Sequence, residues 1–187
     1  YSSILKEKIL GINWSYIIED NFLREKHFNY ILNFSEHNVE DNGLAVNKNK
    51  IWLDGKIESQ LDSNFLIEFY NDYSKKLFSF LEKLAPARIP SAKWLEINLV
   101  WTGKHTKFKI HEDSANKLLS VVIYLYPKKN TGTILYSDKL GNDKTIVDWV
   151  QNRALIFARE EGVTWHSYQG NGLSTRFALV VNVRSDV

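Results

Sequence analysis

From Pro90 onward the apolar residues of this chain recur at every second position, and turn residues cut the pattern into short runs. Leu95, Ile97, Leu99 and Trp101 alternate with Glu96, Asn98 and Val100 until Thr102-Gly103 breaks the run. Period two marks a strand, because successive side chains point to opposite faces of a sheet. Phe108 and Ile110 lead into His111. Ser120–Tyr126 is a continuous β-rich run ending at Pro127, the pattern of a strand buried on both faces. Thr133–Tyr136, Thr145–Trp149, Ala154–Phe157, Val163–His166 and Arg176–Val183 read as further strands. The breaks between them are Asn130-Thr131-Gly132, Gly141-Asn142-Asp143, Glu161-Gly162 and Gly170-Asn171-Gly172. Seven or eight short strands spaced in this way predict a sandwich or barrel.

The first half is mixed. Trp14–Ile18 reads as a short strand, after which Asp20 or Asn21 caps a helix whose stripe is Phe22, Leu23, Phe28, Ile31, Leu32 and Phe34. Asn42-Gly43 is a turn, and Lys50–Leu53 is a short strand ending in the turn Asp54-Gly55. Between about Glu58 and Leu84, Leu61, Phe65, Phe69, Tyr73, Leu77, Phe80, Leu81 and Leu84 recur at threes and fours, which predicts a helix stopping before Pro86. With 187 residues, 44% of them hydrophobic, the chain can bury one substantial core with a small helical annex.

Charge and composition exclude several functions. Lys and Arg number 24 against 22 Asp and Glu, with no basic tract, so no nucleic-acid partner is expected. The absence of Cys removes disulfides, thiolate metal sites, iron–sulfur clusters and Cys nucleophiles. The longest apolar runs, such as Leu118–Tyr126, are far shorter than a membrane span, and no membrane partner is expected. No signal peptide is read, and a cytoplasmic location is expected. The chain starts at Tyr1 without an initiator Met, so residues of the natural protein are expected to precede it.

The chemistry concentrates in the second half. His111 and Asp113 stand two apart, so in extended chain both point to one face and Glu112 turns away. His166 follows 53 residues after Asp113, and Arg176 ten residues after that. Two imidazoles and a carboxylate on one face of an octahedron leave three positions open, which suits Fe(II) binding a chelating substrate and dioxygen together. Each residue alone has a plainer reading. His-x-Asp is common at strand ends, His166 is a packed or exposed neighbour of Trp165, and Arg176 is a solvated strand residue. Context weighs against these. The His-x-Asp precedes the most apolar strand, and Arg176 shares a face with Ala178 and Val180. A buried Arg needs an anion, and no Asp or Glu is adjacent in sequence; a ligand carboxylate would engage the guanidinium fork. Tyr124 reads as core, with a hydroxyl that could reach the same carboxylate. His27, His37 and His105 read as non-ligands.

The stretch "EINLVWTGKHTKFKIHEDSANKLLSVVIYLYP", then "GTILY", then "NRALIFAREEGVTWHSYQGNGLSTRFALVVNV", resembles the Fe(II)/2-oxoglutarate-dependent dioxygenases, in particular their prolyl 4-hydroxylase-like branch. The start "YIIEDNFLREKHFNYILNF" is similar to that family's N-terminal strand and helix. The chain departs from the pattern at Trp101-Thr102-Gly103, where the family commonly has Tyr-x-x-Gly, and at the single Gly132 where it commonly has Gly-Gly. The resemblance implies a mainly β fold with supporting helices, the double-stranded β-helix or jelly roll. It implies one dioxygenase domain over 1–187, with helical support and short strands in 1–90 and the jelly-roll core in 91–187. His111, Asp113 and His166 would hold Fe(II), Arg176 would anchor the far carboxylate of 2-oxoglutarate, and Tyr124 would share that anchor. His166 and Arg176 would lie in strands of opposite sheets, joined by a corner.

The activity so implied is hydroxylation of a C–H bond, with dioxygen consumed and succinate and CO2 released. The substrate would be a peptide (prolyl being the analogy's first suggestion) or a small molecule. Asn42–Lys56 and Gly103–Lys109 are where substrate contacts are expected, since loops vary with specificity. Two rival classes remain at this level. One is a cupin-like metalloenzyme that does not use 2-oxoglutarate. The other is a non-catalytic β-sandwich binding module whose surface is supplied by Trp14, Trp52, Trp94 and Trp149. Oligomeric state is open.

Overall fold

The computed structural model describes residues 3–6 and 11–186. Its elements in chain order are β1 (Ser3–Lys6), β2 (Tyr16–Glu19), α1 (Glu25–Leu32), β3 (Leu44–Asn47), β4 (Lys50–Trp52), β5 (Ile57–Glu58), α2 (Ser63–Leu84) and a short 3-10 turn (Pro86–Ser91). After these come β6 (Trp94–Thr102), β7 (Lys107–His111), β8 (Lys117–Tyr126), β9 (Thr133–Tyr136), β10 (Thr145–Val147), β11 (Ala154–Phe157), β12 (Trp165–Gln169) and β13 (Arg176–Arg184). Nine strands form a major sheet in the order β1-β2-β11-β8-β13-β6-β4-β5, with β3 also on β6. Four form a minor sheet, β10-β9-β12-β7. All pairings are antiparallel. The two sheets face each other across a cavity lined from both, which is the sandwich expected of the period-two pattern. Among the described residues no helix is long and apolar enough to cross a membrane.

Alternation sorts the major sheet's side chains between two cores. On β6 and β13, Leu95, Ile97, Leu99, Trp101, Phe177, Leu179, Val181 and Val183 pack outward into a cluster with Phe65, Leu66, Phe69, Leu77 and Leu81 of α2. The residues between them face the minor sheet. A smaller cluster, with Trp14, Tyr124, Leu135, Trp149 and Phe157, fills one end of the space between the sheets. The helices therefore stand outside the sandwich and stiffen the sheet that carries Arg176.

Several element ends differ from those predicted, each for a local reason. Helix α2 begins at Ser63 because Ile57–Glu58 is held as a strand on β4, and the Asp62 carboxylate caps the helix by accepting from Asn64 N at 2.9 Å. Helix α1 begins at Glu25, and neither Asp20 nor Asn21 caps it. Asp20 is instead bound to Arg153, and Asn21 lies in the left-handed region at φ 52°. The chain before α1 is tied down by Asn152, which accepts from Leu23 N through its side chain and from Phe22 N through its carbonyl. Strand β12 starts at Trp165 because the preceding residues turn, with Val163 N and Thr164 N both donating to Glu160 O.

Candidate metal centre

Strands β7 and β12 are neighbours in the minor sheet, and their register places His111 directly opposite His166. Cross-strand partners share a face, and the two imidazole centroids are 4.4 Å apart. Just beyond β7 the chain carries Asp113 back to the same point. His111, Asp113 and His166 each offer one ligand atom, all within 4.8 Å of one another. Glu112 turns away, accepting from Gly162 N at 2.7 Å.

Backbone carbonyls settle which imidazole nitrogens face this point. His111 Nδ1 lies 2.7 Å from Lys109 O, and His166 Nδ1 lies 3.0 Å from Thr164 O. A carbonyl only accepts, so both Nδ1 atoms donate, and in the neutral rings both Nε2 atoms carry the lone pair a metal requires. Asp113 Oδ2 accepts from Ser120 Oγ at 2.8 Å, and Oδ1 lies 3.6 Å from Lys117 Nζ and 3.5 Å from His166 Nε2. Burial opposes ionisation of Asp113, but His166, Lys117 and Ser120 outweigh it and hold the carboxyl well below the usual range. For His111, burial and the adjacent His166 push the imidazole below its ordinary value, favouring the neutral, ligating form.

Arg176 opens β13, on the face that looks across at His166. It is 7% exposed, and no carboxylate pairs with it among the described residues. Its Nε donates to Thr131 O at 3.2 Å. Its guanidinium carbon stands 3.9 Å from the Tyr168 ring centroid, 5.2 Å from Trp149 and 5.4 Å from Tyr124. Burial pushes its pKa below the ordinary value, so the cation is held at a cost that rings and one carbonyl offset only in part. Gly132 makes room for this arrangement. A Cβ there would stand 1.7 Å from Val147 O, so Thr131 and Thr133 can flank a close backbone approach. Tyr124 is fully buried, and its hydroxyl lies 2.8 Å from Thr133 Oγ1.

One cavity of about 420 Å³ joins these groups: His111, His166, Thr133, Tyr168 and Arg176 all line it. Leu44, Val46, Lys48 and Phe108 line it too, so both segments expected to meet substrate contribute to its wall. Tyr168, Ser120 and Lys117 are participants that were not predicted. Tyr168 follows His166 by two in one strand and Ser120 precedes Tyr124 by four, so period two alone would have put them on the faces where they lie.

Other candidates fall elsewhere. Trp14, Trp94 and Trp149 are 5%, 6% and 8% exposed, which corrects their reading as a recognition surface. Trp14 Nε1 donates to Tyr136 O and Trp149 Nε1 to Pro127 O, while the Trp94 ring lies against Lys50 and Arg184. His27 also stands near two carboxylates, Glu68 and Asp72, but Lys26 and Arg24 already hold them. That group clips α1 to α2.

No protein-family model matches the sequence, and no curated protein does. Solved structures do match in shape. A prolyl-4-hydroxylase of Pseudomonas putida aligns with TM-score 0.64 and 12% identity over 92% of this chain and 93% of its own. An oxidoreductase of the 2OG-Fe(II) oxygenase family from Burkholderia pseudomallei aligns at 0.60 and 12%, covering 90% and 84%. A prolyl hydroxylase from Trichoplax adhaerens, in complex with a peptide fragment of the hypoxia inducible factor oxygen degradation domain, aligns at 0.58 and 16%, covering 91% and 83%. At these identities the likeness establishes the fold, a mainly β double-stranded β-helix.

Proposed function

We propose that this chain, as a single domain, is an oxygenase that uses Fe(II) and 2-oxoglutarate to hydroxylate a C–H bond of a peptide or small molecule. One observation carries the reading: the His111–Asp113–His166 cluster opens into the same cavity as a buried arginine that has no carboxylate of its own. The donor set fits ferrous iron, since two imidazole nitrogens and one carboxylate leave open positions for a chelating co-substrate and dioxygen. The iron and its co-substrate supply the oxidising chemistry when bound.

The chain's own work is positional. Lys109 O and Thr164 O fix the imidazole tautomers, and Ser120 and Lys117 orient and keep ionised the Asp113 carboxylate. Arg176 takes the far carboxylate of 2-oxoglutarate in its guanidinium fork, held by Thr131 O and the Tyr168 ring, and Thr133 and Tyr124 complete that end. The buried cation favours this over a cupin-like chemistry without 2-oxoglutarate, which would give Arg176 nothing to bind. A reducing compartment keeps iron ferrous, and the cytoplasm is the one we propose.

The test is direct. Protein reconstituted with Fe(II) and supplied with 2-oxoglutarate and dioxygen converts 2-oxoglutarate to succinate, and omission of iron stops it. Protein that binds iron and yields no succinate would refute the reading.

A further inference from the structure

The inner face of the major sheet is polar at the end remote from Arg176, where a packed sandwich would be apolar. Register sets Asn182 of β13 between Glu96 of β6 and Ser120 of β8. All three are buried. Asn182 Nδ2 donates to Glu96 Oε1 at 2.8 Å, and Arg184 Nη2 and Nε donate to the same oxygen at 2.9 and 3.2 Å. Ser120 carries the row on to Asp113. Two acceptors in this row take no hydrogen bond from the described residues: Glu96 Oε2 and the buried Asn182 Oδ1. Glu96 lines the cavity, and an N–H donor from a ligand there would pair its free carboxylate oxygen.

Charge points the same way. The Lys and Arg side chains lining the cavity are Lys48, Lys117, Arg176 and Arg184, against the one carboxylate of Glu96. Arg184 is spent on Glu96, and Arg176 lies at the other end. Lys117 stands 3.6 Å from Asp113, so Lys48 remains for a second anion. Between the two ends the wall is Val46, Val100, Val122 and Val180, with Asn98 beside Val180.

We propose that this end of the cavity is the head-group subsite of a free aliphatic amino acid, with its ammonium on Glu96, its carboxylate on Lys48, and its side chain along the valines. This names the substrate class for the oxygenase reading and rests on it. An internal peptide residue has neither charge and would leave both sets of groups unmatched.

Binding tests it without turnover. The full chain is loaded with Mn(II) and N-oxalylglycine, whose binding is measured first. It is then titrated by calorimetry with free leucine, isoleucine and proline, with their N-acetyl amides, and with a capped prolyl peptide. A free amino acid is expected to bind, and its capped form about tenfold or more weaker. Glu96→Gln and Lys48→Met are each expected to weaken the free amino acid by a similar factor. Should Glu96→Gln fail to fold for loss of the Arg184 pair, Lys48→Met still decides. Binding of the capped peptide in preference to free amino acids overturns the proposal. So does binding of none of them to protein that holds Mn(II) and N-oxalylglycine, and the oxygenase reading then survives alone. If neither Mn(II) nor N-oxalylglycine binds, the titration is repeated on the metal-free chain. Retained amino-acid binding keeps the subsite while the oxygenase reading falls, and no binding removes both.

Discussion

The two faces of the major sheet are built from the same strands and do opposite things. On β6 and β13 the odd-numbered residues, from Leu95 to Trp101 and from Phe177 to Val183, meet α2 in an apolar core. The even-numbered ones include Glu96, Asn98, Thr102, Arg176, Asn182 and Arg184, and they line the cavity. Both faces are buried, so burial does not separate them. One face gains stability from hydrophobic transfer. The other spends some of it holding charges and amides in fixed places, and a rigid apolar backing is what makes that affordable.

The largest expected effect is on the minor sheet's contribution to the inner face. His111→Ala and Asp113→Ala should each abolish succinate formation while circular dichroism stays native. Unchanged turnover in either variant would remove that residue from the site. On the outer face, Leu179→Ala should cost about 2–5 kcal/mol of stability by denaturant titration, with the KM for 2-oxoglutarate unmoved in the folded fraction. A raised KM there would mean that the two faces are coupled. Arg176→Lys keeps the charge but loses the fork, and should raise the KM for 2-oxoglutarate by about tenfold or more while metal affinity holds. A wild-type KM would refute the anchor.

The smallest effect is in the pH dependence. Burial opposes ionisation of Glu96, but bonds from Asn182 and Arg184 prevail and lower its pKa. A carboxylate depressed in the folded state stabilises it above the ordinary value of about 4.3, and that contribution is lost as pH falls toward the folded value. The stability difference between wild type and Glu96→Gln should therefore shrink as pH falls below the ordinary value of about 4.3. The Leu179→Ala difference should not follow it. Parallel behaviour of the two variants would erase the electrostatic distinction between the faces.

How much of this was legible in the sequence depends on the range of the forces involved. Strands Thr133–Tyr136 and Ala154–Phe157 match their predicted bounds because strand pattern and turn residues are local. The convergence of His111, Asp113 and His166 could be read from spacing and strand position. The start of α1 could not, because Asp20 is held by Arg153, far along the chain. The polar row was visible only as the gaps in an alternation. Glu96 and Asn98 alternate with the apolar residues of their strand, and only the minor sheet's position turns their face into a cavity wall. Tyr168 shares its face with His166, two residues before it in β12, but its contact with Arg176 comes from the opposite sheet, which no local pattern shows.

The most direct measurement is a crystal structure of the protein soaked with Mn(II) and N-oxalylglycine, a non-reactive mimic of 2-oxoglutarate. The expected result is one cation bound by His111 Nε2, Asp113 and His166 Nε2, with the mimic chelating it and its far carboxylate on Arg176. A cation elsewhere, for instance between His27, Glu68 and Asp72, or a mimic that leaves Arg176 untouched, would contradict the assignment.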